Sequence, residues 1–298
     1  MTLLSSSAIE HFDPATPQTV VNDYELDFSP CRSVLFWFGP VATLAPALQS
    51  ALAAAPVPTC STAVVGNQGT KQCAYPNLAL PLGRGEVLGA AGGPGTGVEA
   101  FDFGAVDIRT PTLGFMDPSI PVGTTGDSCF HAVCPLDYFS DPVESVLVGH
   151  LSSAHPGANG IPACGTTIQD KAGTIQGNWY RSGAYASGGA GPFDFEDALA
   201  IVHSDLDQSL GVVSAGDHLF PGNGGGAQMT FQPASSDAVD REPSQVTADG
   251  HVYCYYDPSQ VGGHVDVQLV DANTLHADYG PGDCAASPTL ANPTTYVR

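Results

Sequence analysis

From residue 173 onward the chain reads as a succession of short apolar-alternating segments set apart by turns: GTIQGNWY, ALAIVHSD, LGVVSAG, AQMTFQP, GHVYCYYD, HVDVQLVD and TLHADYG. Successive strand side chains point to opposite faces, so alternation over a few residues specifies a half-buried strand, whereas a helix repeats about every 3.6 residues. Strands this short at this spacing specify a sandwich or barrel. The 35 glycines and 25 prolines supply the turns and argue against a helix bundle. The expected fold is mainly β: antiparallel sandwich or barrel modules with one or two short helices.

The first half carries the same signature less densely. In DYELDFSPC (23–31), Tyr24, Leu26 and Phe28 share one face, and SVLFWFG (33–39) is an apolar run that reads as a buried strand. VATLAPALQSALAAAP (41–56) places Leu44, Leu48 and Leu52 at helical spacing and ends at Pro56. PLDYFSDPVESVLVGHL (135–151) is a second helical candidate, with Asp141 as N-cap and Pro142 at the first helical position. Residues 1–22 are polar and read as turn-rich. HPGANGIPACG (155–165) reads as a loop and divides the chain into two β domains, 1–155 and 156–298.

Thirty acidic residues face eight basic ones, a formal net charge of -22 at pH 7. Such a surface repels phosphate backbones and anionic lipid, which excludes nucleic acid as a partner. No apolar run approaches the ~20 residues of a membrane span. What remains is a surface charged for solubility or one that collects cations. The opening MTLLSSSAIEHFDP lacks the basic and apolar regions of a signal peptide, so a secreted or periplasmic location implies a leader absent from this chain.

The eight cysteines contain no C-x-x-C pair, which speaks against zinc knuckles and thioredoxin-like motifs and for disulfides in an oxidising compartment. Neighbours suggest Cys60–Cys73, Cys129–Cys134 and Cys254–Cys284, leaving Cys31–Cys164. Sequence alone does not fix this connectivity.

The stretch GEVLGAAGGPGTGVEAFDFGAVD (85–107) poses a choice between a phosphate cradle, a metal site and a plain turn. A dinucleotide fingerprint needs its glycines to open a helix, and a P-loop needs a closing Gly-Lys-Ser/Thr; the stretch has neither. Read in order, the strand at 24–29, FWFGPVATL (36–44), GRGEVLGAAGGPGTG (83–97) and AFDFG (100–104) resemble the core of the lysostaphin-type metallopeptidase family over roughly residues 20–110. In that family a Tyr-x-His-Leu strand, a glycine turn and a His-x-His-Phe strand follow one another. The resemblance implies a compact antiparallel β domain with a groove, and a zinc held by His, Asp and His. Here Pro40 stands where the Tyr-x-His-Leu histidine is expected. Ala100 and Asp102 take the places of the His-x-His pair, and His11 and Asp13 lie at the wrong spacing for the upstream ligands. Zinc needs about three protein ligands, and Asp102 is the one carried over. Asp102 is also the residue type that accepts hydrogen bonds from turn amides at a strand end.

Other constellations are thinner. No G-x-S-x-G nucleophile elbow occurs. His203, Ser204 and Asp205 are adjacent and alternate faces on a strand, so they form no triad among themselves. HSDLDQS (203–209) offers Asp205 and Asp207 as turn caps or weak cation ligands, without the glycine and glutamate of an EF-hand. Of nine histidines, His251 and His264 fall in opposing strand candidates and His131, His218 and His276 near turns. Imidazoles from different strands converge on a metal without local signature. Trp179, Tyr180, Tyr185, Tyr253, Tyr255 and Tyr256 suit either a sugar-stacking platform or a β core, and core is the expectation.

The function expected is that of a secreted, acidic, disulfide-stabilised protein, a non-catalytic peptidase-like binder or scaffold for cell-wall or other polysaccharide. The substrate class comes from the resemblance alone. The alternative is an extracellular metal-assisted hydrolase with a site rebuilt around Asp102, with His131 or His203 as ligand or general base and zinc or calcium as the metal.

Overall fold

The structure, a computed structural model, describes residues 1–65, 68–92, 102–111, 114, 116, 130–150, 164–166, 168–183, 197–205, 207–220, 227–256 and 262–298, with backbone alone at 16–22, 65 and 68. The fold is mainly β, two antiparallel sheets with two short helices, one sheet a half-barrel and the other a near-closed barrel. Met1–Pro111 with His131–Phe139 forms one unit, and Thr112–Phe130 with Ser140–Arg298 the other.

In the first unit, β1 (Thr2–Asp13), β2 (Thr16–Cys31) and β3 (Val34–Leu44) lead into helix α1 (Pro46–Ala54). There follow β4 (Thr59–Val65), β5 (Gln68–Tyr75), β6 (Leu80–Pro81), β7 (Gly89–Ala91), β8 (Asp102–Asp107) and β9 (Ala132–Val133). The sheet order is β4-β5-β1-β2-β3-β8-β9, with β6 beside β1 and β7 beside β3. Residues 1–22, expected to be turn-rich, lie mostly in β1 and β2. β1 is paired by β2 on one side and β5 on the other, and those two ladders override the weak strand propensity of its serines. Residues 41–44 continue β3, and the helix starts at Pro46, where a missing N–H costs nothing in the first turn.

The core of this unit is Leu3, Leu26, Phe28, Val34, Phe36, Val41, Leu44 and Leu48, all buried. Phe103 stacks on Phe38 at 4.5 Å between ring centroids, and Phe38 meets Phe28 edge-on at 5.1 Å. Phe103 thus faces the core, and its chain neighbour Asp102 points to the opposite face of the sheet.

The helix expected over 135–151 is not continuous: a 3-10 turn at Pro135–Tyr138 ends the first unit, and in the second unit α2 covers Val143–His150 only, with no buried residue. The strands are β10 (Gly177–Arg181), β11 (Ala198–His203), β12 (Gly211–Ala215), β13 (Ala227–Phe231), β14 (Tyr253–Tyr256), β15 (Gly263–Asp271), β16 (Thr274–Pro281) and β17 (Thr294–Val297). Their order is β13-β12-β11-β10-β17-β16-β15-β14. Trp179, Tyr255, Tyr296, Phe220, Ile201, Met229, Val265 and Leu275 fill the interior. Trp179 Nε1 donates to the Ile175 carbonyl at 2.8 Å and Tyr255 Oη to that of Arg241 at 2.8 Å, so the polar ends of both rings are satisfied inside. Trp179, Tyr253 and Tyr255 are therefore core and form no sugar platform.

β17, unforeseen in the sequence, sits between β10 and β16. The following Arg298 lies 4.0 Å over the Trp179 ring and donates to the carbonyls of Gln176, Lys171 and Thr174.

Cys60 and Cys73 are cross-strand partners in the β4–β5 hairpin and are bonded; Cys254 and Cys284 are bonded as well. Cys134 and Cys164 are each disulfide-bonded. Cys31 carries a free, exposed thiol, which overturns the expected Cys31–Cys164 pair: elimination among neighbours ignores where the chain carries each sulfur. Cys129 lies outside the described residues.

Candidate functional site

The alternation that buries Leu26 and Phe28 places Asp23, Glu25 and Asp27 together on the other face of β2. Register decides their neighbours. Across β1, Ile9 stands opposite Asp23, Ser7 opposite Glu25 and Ser5 opposite Asp27, with His11 two residues beyond Ile9. On β3, Trp37 pairs with Asp27; on β8, Asp102 pairs with Gly39 and Gly104 with Trp37. One face of four adjacent strands thus gathers a histidine, four carboxylates and a tryptophan.

Two glycines shape this face. A Cβ on Gly104 would sit 1.8 Å from Trp37 Cζ2, so the indole lies directly on the bare backbone of β8. A Cβ on Gly39 would meet Glu25 Cα, Cβ and Cγ at 3.6 Å, which puts Gly39 against Glu25 and leaves Asp102 one strand further on. Two strand spacings separate the Glu25 and Asp102 backbones by roughly 10 Å, within reach of a single small ligand. The hollow bounded by Ile9, His11, Asp23, Tyr24, Glu25, Trp37, Gly39, Pro40 and Asp102 has a volume of about 340 Å³.

The groups differ in state. Asp23 has 3% of its side chain exposed; its Oδ2 is 3.1 Å from His11 Nε2, and its Oδ1 is buried with no hydrogen-bond partner among the described residues. Asp27 accepts from Ser5 Oγ at 2.5 Å. Burial, and then the charges of Asp27, Asp102 and Asp23, push the Glu25 carboxyl above its ordinary value. Asp102 is exposed at the rim. The arrangement sets a half-buried carboxyl, its pKa raised by burial and by neighbouring charge, on the same face as an exposed one.

Of the candidate site residues Asp102, His131, His203, Asp205 and Asp207, Asp102 lies in this hollow and the other four do not. His131 sits next to β9, which pairs with Ala105 and Val106, so it lies at the opposite end of β8 from Asp102; its Nδ1 is 2.8 Å from the Thr110 carbonyl. His203 belongs to the second unit, where its Nε2 lies 3.1 Å from Glu242 Oε1 and its backbone exchanges hydrogen bonds with the Gln169 amide. Asp205 accepts from the Thr166 amide, and Asp207 accepts from Ser209 N–H and Oγ at 3.0 and 2.6 Å. These two carboxylates hold turns. His11, Asp23, Glu25 and Trp37 went unselected: the one sequence signal for them was acidic residues at every second position of a strand, and what they face depends on register.

Among the described residues one set of three potential metal ligands converges, Cys254, His264 and Asp266 in the second unit, and Asp102 belongs to no such set. Comparison of the chain with protein-family models, with curated proteins and with solved structures finds no match.

Proposed function

We propose that the protein is an extracellular, disulfide-stabilised binding protein whose ligand is a cell-wall or other polysaccharide, held without catalysis in the hollow of the first unit. The observation that carries this reading is the half-buried Trp37 ring, laid flat on Gly104 and bordered by Asp27, Glu25 and Asp102. A sugar ring offers an apolar face and a rim of hydroxyls, and an indole flanked by carboxylate acceptors complements both. The concentration of negative charge favours amine-bearing sugars over uronic acids. The disulfides support an oxidising location, and the lysostaphin-type resemblance supports a cell-wall substrate class.

The test is direct because the chain has two tryptophans and Trp179 is fully buried in the other unit. Titration with amino-sugar, neutral and uronic-acid oligosaccharides should change the emission of Trp37, with the amino sugars tightest. Absence of any response across the three classes, with no retention on cell-wall material, removes the reading.

A second reading, hydrolysis, is favoured by the Glu25–Asp102 pair. Glu25 as proton donor and Asp102 as base or nucleophile need no metal for glycoside cleavage. Turnover that survives chelator and disappears in Glu25→Gln would establish it over simple binding.

A further inference from the structure

On the barrel of the second unit, Cys254 of β14 stands directly opposite Asp266 of β15, and His264 lies two residues from Asp266 on the same face. A sulfur, an imidazole nitrogen and a carboxylate oxygen of these residues lie within 4.8 Å of one another. The histidine is oriented for ligation. Its Nδ1 donates a hydrogen bond to the Gly282 carbonyl at 2.9 Å, and its Nε2 lies 3.5 Å from Asp266 Oδ2. A carbonyl on the far nitrogen is the usual outer partner of a metal-bound histidine. Asp266 is nine-tenths buried, with 9% of its side chain exposed, and its Oδ1 has no hydrogen-bond partner among the described residues. A buried carboxylate oxygen without a donor costs stability unless something positive meets it.

The disulfide brings a fourth ligand. Cys284 is bonded to Cys254, so opening that bond leaves two sulfurs beside the imidazole and the carboxylate. We propose that Cys254, Cys284, His264 and Asp266 form a redox-gated zinc site, closed while the disulfide is intact and open once it is reduced. A disulfide sulfur is no thiolate and binds zinc poorly. A dithiol reductant passes two electrons and two protons to the bond, becomes a cyclic disulfide, and leaves two thiols. Zn²⁺ then displaces both thiol protons and takes two thiolates, the Nε2 lone pair and one carboxylate oxygen, a four-coordinate set. Ligand atoms around tetrahedral zinc stand about 3.3–3.8 Å apart, a small contraction of the present spacing. Cys284 is partly exposed and Cys254 is buried, so the reductant reaches the bond from the Cys284 side.

The site is separate from the hollow of the first unit, and its test is independent of any glycan. The full chain is reduced with dithiothreitol, desalted without air and titrated with Co²⁺ and then Zn²⁺. Reduced wild type should show thiolate-to-cobalt absorption and the visible bands of tetrahedral cobalt, bleached by zinc. Because the other cysteines are also reduced, the reading is the difference from variants that keep every cysteine. His264→Gln and Asp266→Asn should each lose one tight equivalent or weaken it by roughly 100-fold, and His276→Gln should retain it. Zinc should also raise the melting temperature of the reduced protein and leave that of the oxidised protein unchanged. Equal zinc binding by reduced and oxidised protein, equal binding by wild type and both ligand variants, or a reduced chain that zinc fails to order each overturns the proposal.

Discussion

Trp37 rests on Gly104 with no room for even a methyl group between them: a Cβ at residue 104 would sit 1.8 Å from Cζ2. The absence of a side chain on β8 is what lets an indole lie beside three carboxylates on this sheet face.

Gly104→Ala should therefore displace the indole and cost about 1–3 kcal/mol of stability, as overpacking does. Oligosaccharide binding should fall with it. Trp37→Ala should lose the binding with a smaller stability cost, since Trp37 is half-buried. Paired denaturation and binding titrations separate the two effects, and a Gly104→Ala protein with wild-type stability would contradict the geometry.

Glu25 sets a pH dependence of definite sign. Its folded pKa is raised, so the folded state holds the proton more tightly than the unfolded chain does. Stability is fully present below the ordinary glutamate value of 4.5 and declines as pH rises through the higher folded value. Glu25→Gln should stabilise the first unit near pH 7 by roughly 0.5–1 kcal/mol, a modest gain because the group remains partly solvated. The advantage should vanish by pH 4 in urea melts recorded across that range.

Asp107 behaves in the opposite sense. Arg109 donates to it through Nε at 2.8 Å and Nη2 at 2.5 Å, and Tyr138 Oη donates at 2.6 Å. The Arg109 contact first, then that of Tyr138, holds the carboxyl far below the usual aspartate range, while burial and then Asp107 push the Tyr138 phenol up to about 12. The stabilisation is present above the ordinary aspartate pKa and is lost as pH falls toward the depressed folded value. Asp107→Asn should lower the melting temperature at pH 7, with the gap from wild type narrowing in strong acid; Tyr138→Phe should lower it less.

The two disulfides with defined partners close loops of different length, with sequence separations of 13 for Cys60–Cys73 and 30 for Cys254–Cys284. Chain entropy gives about 3 and about 3.6 kcal/mol for these spans. Removing Cys254–Cys284 as a double serine variant should thus cost more, measured by guanidinium melts under oxidising conditions.

The second unit was largely legible because its strands alternate cleanly around buried Trp179, Tyr255 and Val267. β17 escaped notice because four residues carry too little pattern to stand out, and its place comes from pairing with β10 and β16. β1 escaped because Ser5, Ser6 and Ser7 conceal its alternation, although Ser6 is buried and Ser5 faces Asp27. Asp102 could be picked out by its glycine neighbours. Its companions could not, since Glu25 reaches it only across Gly39, and strand register is a property of the folded sheet.

The insertion of β17 between β10 and β16 also governs when the second unit can form. Translation delivers β10 long before its neighbour, and during that interval β10 has β11 on one flank and an unpaired edge on the other. A nascent chain halted ahead of Thr294 cannot knit β10 to β16, and Trp179 then lacks both Tyr296 beside it in the core and the Arg298 guanidinium above its ring. Closure of this barrel accordingly waits for residues 294–297, and chains that stop ahead of them expose a strand edge open to mispairing with one another.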